Sequence, residues 1–131
     1  MYRSFCTAVT CMDGRIQLPG IRYLQQHFGV EYVDTITEAG PINILANQTE
    51  PKLVQSILNR INTSVNVHNS HGLGVFGHHD CAGNPVPREE QINQIKATIH
   101  FLKQRYPDLP LIGLWIDEHW KVNPVETEDY A

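Results

Sequence analysis

The chain has 131 residues, 41% of them hydrophobic and 18% charged, with a formal net charge of -4. That length and balance predict one domain, residues 1–131, large enough to bury a sizeable core without disulfide staples. A mildly acidic chain without a basic cluster excludes nucleic acid as the main partner, and no stretch reaches the apolar length of a membrane span.

In chain order, Met1-Tyr2-Arg3-Ser4 lacks the plan of a signal peptide and leads straight into a strand over Phe5 to Thr10, the pattern expected of a cytoplasmic protein. A helix follows from Leu18 to about His27, with Ile21, Leu24 and Phe28 on one stripe and Gly29 as its stop. Tyr32 to Thr37 is rich in β-branched residues and reads as the second strand. Ala39-Gly40-Pro41 turns the chain, and Ile42 to Ala46 is a helical turn or a loop. Thr49 is placed to cap a helix that begins at Glu50-Pro51 and runs to about Ile61 on a stripe of Leu53, Val54, Ile57, Leu58 and Ile61. Between Asn62 and Ser70, Val65 and Val67 alternate among asparagines and serines, so a loop or an edge is expected. His71 to Phe76 reads as the third strand. Arg88 to Arg105 is the longest helix, with Ile92, Ile95, Ile99 and Leu102 on one face, and Tyr106-Pro107 ends it. Leu109 to Ile116 is the fourth strand, and an acidic tail starts at Glu126. Strands alternating with helices predict an α/β fold: a mostly parallel central sheet with helices on both faces.

Two segments carry chemistry: Cys11-Met12-Asp13-Gly14-Arg15 and Gly77-His78-His79-Asp80-Cys81-Ala82-Gly83. Each follows an apolar run. Ligands gather at the carboxyl ends of strands in an open parallel sheet, so two adjacent strands would bring Cys11, His78 and Cys81 together. Two thiolates and an imidazole at one point favour Zn2+. Asp13 is close enough in sequence to be a fourth ligand that closes the site. Alternatively it pairs with Arg15 through a bidentate fork and leaves the fourth position open to water. Asp80 is expected to cap or orient its loop, and His79 is the nearest histidine that could carry a proton. His68, His71, His100 and His119 read as structural, and Gly40, Gly77 and Gly83 serve turns and close backbone approach. Cys6 is the leftover of three cysteines. Its odd offset from Cys11 predicts the opposite strand face, and it reads as a small buried hydrophobe.

These motifs resemble the beta-class carbonic anhydrases. That family's signatures are Cys-x-Asp-Ser-Arg and His-x-x-Cys. Here the first reads Cys11-x-Asp13-Gly14-Arg15, with Gly14 in place of serine, and the second is intact as His78-His79-Asp80-Cys81. Glu38-Ala39-Gly40-Pro41 resembles the family's turn after the second strand, and Leu114-Trp115-Ile116-Asp117 its last core strand. The resemblance implies zinc held by Cys11, His78 and Cys81, with Asp13 and Arg15 as a catalytic gating dyad. It further implies reversible hydration of CO2 to bicarbonate by a zinc-bound hydroxide, and a homodimer or higher homo-oligomer. Relatives of the fold that hydrolyse carbon disulfide or carbonyl sulfide give a second expectation. The sequence starts almost at the first strand, ahead of which the family carries a helical arm, and this gives a third: a non-catalytic zinc-binding or structural protein.

Overall fold

The structure is a computed structural model that describes residues 4–126. The elements run β1 (Phe5–Cys11), α1 (Gln17–Phe28), β2 (Tyr32–Glu38), α2 (Pro41–Asn47), α3 (Pro51–Asn62), a π-helical turn (Thr63–Val67), β3 (Leu73–His78), α4 (Arg88–Arg105), β4 (Leu111–Ile116) and β5 (Val122–Val125). The sheet has five strands in the order β2-β1-β3-β4-β5. β1 pairs in parallel with β2 and β3, β3 in parallel with β4, and β5 runs antiparallel to β4. This is the mostly parallel α/β arrangement expected from the alternation of elements.

Helices cover both faces, unequally. One apolar cluster joins Val9, Ile36, Val75 and Trp115 of the sheet to buried residues of α2, α3 and α4. The other joins Ala8, Phe76, Leu114 and Ile116 to Leu24 of α1. Adjacent residues such as Ala8 and Val9, or Val75 and Phe76, divide between the two, as the period of two along a strand requires. Cys6 and Cys11 fall in the same cluster despite their odd offset, Cys11 doing so at the strand's carboxyl end beside Cys81. Gly29 ends α1 at φ 64°, a left-handed conformation that glycine adopts without strain.

Several expectations are corrected. Of the two alternatives for Ile42 to Ala46 the helical one holds, within α2, which Pro41 starts. Glu50, not Thr49, holds the N-cap of α3, and no side chain caps it. Over Thr63–Val67 the segment is neither loop nor edge: α3 runs into the π-helical turn, whose Ser64 is buried against Thr7 and Asp34, and only residues 68–70 are irregular as expected. β3 starts at Leu73 and extends through Gly77 to His78, and β4 starts at Leu111. β5 is an unforeseen fifth strand. Of the acidic tail, residues 127–131 lie outside the described residues. Among the described residues, no helix is long and apolar enough to cross a membrane.

Candidate metal centre

The site forms where the sheet changes direction. From β1 the chain goes to β2 on one side, while β3 lies on the other. β1 pairs with β3 only over Thr7–Val9 and Leu73–Val75, so the two strands part before their carboxyl ends. Such a crevice is where α/β sheets bind ligands. Cys11 is the last residue of β1 and His78 the last of β3, with Cys81 in the turn that follows.

Cys11, His78 and Cys81 are all buried, and one ligand atom from each lies within 4.8 Å of the others. The two sulfurs are 3.8 Å apart. His78 Nδ1 lies 2.8 Å from the His79 carbonyl oxygen, to which it donates in the tautomer that contact requires. Nε2 is then the nitrogen that bears the lone pair. It is buried and has no hydrogen-bond partner, alone in this among the side-chain nitrogen and oxygen atoms of the described residues. A buried, unsatisfied lone pair beside two thiols is the arrangement a metal ion completes, and this donor set can hold one.

The three groups interact strongly with one another. A hydrogen bond from Cys81 holds the Cys11 thiol far below the ordinary thiol range, against the opposing effect of burial, with help from His78 and the Asp13 and Gly40 backbone. The same bond, with burial, pushes Cys81 up. Burial would lower His78, but Cys11 and the His79 carbonyl outweigh it and the imidazole is raised. By contrast, burial and nearby Asp34 push Cys6 up to about 12, which makes it the inert thiol expected.

The backbone under His78 is fixed from α4. The Gln91 side chain, 2% exposed, accepts from the His78 N–H at 3.1 Å and donates to the His78 carbonyl at 2.9 Å. Gly77 makes that reach possible, since a Cβ there would sit 2.9 Å from Gln91 Oε1. The loops after β2 and β3 meet backbone to backbone: Gly40 has φ 71°, and a Cβ on Gly83 would lie 2.5 Å from the Ala39 carbonyl carbon. A buried hydrogen bond of 2.6 Å from Asn84 to Gln94 ties the second loop to α4. Gln17 anchors the first loop by donating to the Cys11 and Asp13 carbonyls at 2.9 and 2.8 Å.

Asp13 is turned to Arg15 and is not a member of the three-residue cluster. Arg15 grips both carboxylate oxygens, Nε at 3.0 Å from Oδ1 and the nearer terminal nitrogen at 2.6 Å from Oδ2, and its backbone N–H adds a bond of 2.9 Å. These bonds hold the Asp13 carboxyl at about 2, below its ordinary range. Asp80 does orient its loop, through Arg15: carboxylate and carbonyl each accept from the guanidinium at 3.1 Å. His79 is exposed and outside the cluster. His68 has a partner after all, Asp34, at 2.7 Å, and stacks on Phe5. Gln17, Asn84, Gln91, Gln94 and Trp120 support the site without having been singled out from the sequence for it. The one signal in the sequence was helical spacing: Gln91 stands four residues before Ile95 and Gln94 four before Thr98, on the buried side of α4.

A family described as "Putative carbonic anhydrase" matches residues 1–126. The chain belongs to that family. Among solved structures it is similar to beta-carbonic anhydrase isoform I of Trichomonas vaginalis, at 17% identity and TM-score 0.58, covering 91% of this chain and 81% of that one. The carbonic anhydrase of Glaciozyma antarctica is similar at 18% identity and TM-score 0.59, covering 92% and 81%. One of two tetrameric beta-carbonic anhydrases of Sordaria macrospora matches at 12% identity and TM-score 0.59, covering 96% and 83%. At these identities the likeness establishes a shared fold. No curated protein matches the sequence.

Proposed function

We propose that the chain is a zinc enzyme of carbonic anhydrase type that hydrates CO2 reversibly, with Cys11, His78 and Cys81 as metal ligands. The observation that carries this reading is the buried, unpartnered Nε2 of His78 beside two thiols. Two sulfurs and an imidazole nitrogen suit zinc, and three protein ligands rather than four are the pattern of a catalytic site. When bound, zinc supplies the Lewis acidity that makes water nucleophilic near neutral pH.

The residues around the ligands have separate tasks. Cys11 and Cys81 would bind as thiolates, so metal binding releases whatever protons the pair holds. The His79 carbonyl fixes the tautomer that leaves Nε2 free, a common arrangement around metal-bound histidines. Asp13, kept ionised by Arg15, can only accept a hydrogen bond. It would therefore orient an attacking water by accepting a hydrogen bond from it, which aims the oxygen lone pair at the carbon of CO2. Arg15 keeps Asp13 in that role by occupying both carboxylate oxygens. Membership of the carbonic anhydrase family and its fold support the substrate class.

Stopped-flow hydration of CO2 by zinc-loaded protein across pH tests the proposal. Activity should rise with pH through about 7. Cys81→Ala should lose both zinc and activity, since two remaining ligands hold the ion poorly. Zinc-replete wild type that hydrates CO2 no faster than buffer at pH 8.5 would sink the enzyme reading. Carbon disulfide or carbonyl sulfide turnover would then distinguish a hydrolase from a non-catalytic zinc protein.

A further inference from the structure

The hairpin between β4 and β5 reaches back over the site. Asp117 organises its turn, accepting from the His119 and Lys121 N–H groups at 2.9 and 3.1 Å, while Asn123 donates to its other oxygen at 3.0 Å. The turn places the Trp120 ring under the Arg15 guanidinium, whose central carbon lies 4.6 Å from the ring centroid. Asp80 binds the same guanidinium through its carboxylate and its carbonyl. Arg15 is thus held by Asp13, by Asp80 and by an aromatic face, although its side chain is 45% exposed.

Both outside supports are backbone outliers. Trp120 has φ 60° and Asp80 φ 58°. Left-handed backbone is uncommon for any side chain and a genuine outlier for a bulky one, and such strain clusters where function fixes geometry. Glycine would relieve the strain at position 120 but would supply no ring.

We propose that Trp120 is a positioning residue, whose ring acts with Asp80 to hold the Arg15 fork on Asp13 and so keeps the Asp13 carboxylate off the Cys11–His78–Cys81 cluster. The guanidinium carbon lies over the ring while its N–H groups donate to the Asp13 and Asp80 carboxylates, so both contacts form together. The clamp itself is independent of any metal. Its consequence for Asp13 rests on the zinc-site reading above.

Exchange of the Arg15 Nε–H with solvent, followed by NMR on the full metal-free chain, tests the clamp directly. Trp120→Gly keeps the left-handed turn and deletes the ring, so exchange should speed up about five-fold, the scale of a partly exposed cation–π contact. Trp120→Phe, which restores an aromatic face, should return most of the protection. Unchanged exchange in Trp120→Gly, or exchange in Trp120→Phe as fast as in Trp120→Gly, would overturn the proposal. Cobalt(II) absorption then reads the consequence. The ligand-field bands should shift in Trp120→Gly as Asp13 reaches the metal, and the added change Asp13→Asn should cancel the shift. Bands that stay put would overturn the claim that the clamp governs Asp13. Neither readout involves CO2, so an inactive wild type would defeat the hydration reading and leave the clamp standing on the exchange data.

Discussion

At the scale of single residues, the site depends on which protons are held where. Arg15 keeps Asp13 ionised, and the consequence for pH follows from the sign of the shift. A depressed carboxyl favours the folded state fully above its unfolded value of about 3.9, and that contribution is lost as pH falls through about 2. The pair should therefore be intact throughout the working range. Carboxyl-carbon NMR of Asp13 should give a midpoint near 2 in the wild type, moving up toward about 3.9 in Arg15→Ala. A wild-type midpoint near 4 would mean that the fork does not form in solution. The residue types at the centre were legible because cysteine and histidine at strand ends have few alternative uses. Their supports were not legible. Gln91 stands thirteen positions from His78, and nothing local to either residue reveals that an amide fills the gap left where β1 turns away.

Elements were legible in proportion to their periodicity. β1, β2 and α4 stand where their apolar patterns place them, and Gly29 closes α1 by the conformation only glycine takes freely. β5 escaped notice because Val122-Asn123-Pro124-Val125 holds a proline, which a central strand excludes. It is tolerated here at the sheet's edge, where β5 pairs with β4 alone. The π-helical turn escaped notice because Asn66 and Asn69 imitate a loop, while the buried contacts of Ser64 to Thr7 and Asp34 are long-range. The clamp from α4 gives a prediction at this scale. Gln91→Leu leaves the buried His78 N–H and carbonyl without their side-chain partner, at a cost of about 2–4 kcal/mol and a fall in melting temperature on the order of 10 °C. Gln91→Glu, which keeps the acceptor and loses the donor, should fall between the two. A melt of Gln91→Leu that matches the wild type would show that His78 needs no such brace.

For the whole molecule, the uneven division of helices matters most. α2, α3 and α4 cover one sheet face, whereas the apolar cluster on the other draws on α1 alone. Leu18 of α1 is 59% exposed, and Met12, in the neighbouring Cys11 loop, is 64% exposed. We expect this side to be covered by further copies of the chain, giving a homodimer or a multiple of it, and light scattering at micromolar concentration should return such a mass. A monomer would speak against a pocket shared between subunits. The orphaned nitrogen of His78 has a wider consequence, best put in the language of energy landscapes. Through most of the described chain the local and global preferences agree, so the fold is minimally frustrated there. At the carboxyl ends of β1 and β3 they conflict, because a buried ring nitrogen is left without a hydrogen-bond partner beside two thiols. On the metal-site reading proposed above, a cation relieves that conflict, so capture of the ion and folding would be linked equilibria. On that reading the stability of this protein is a joint property of its sequence and the free metal concentration around it.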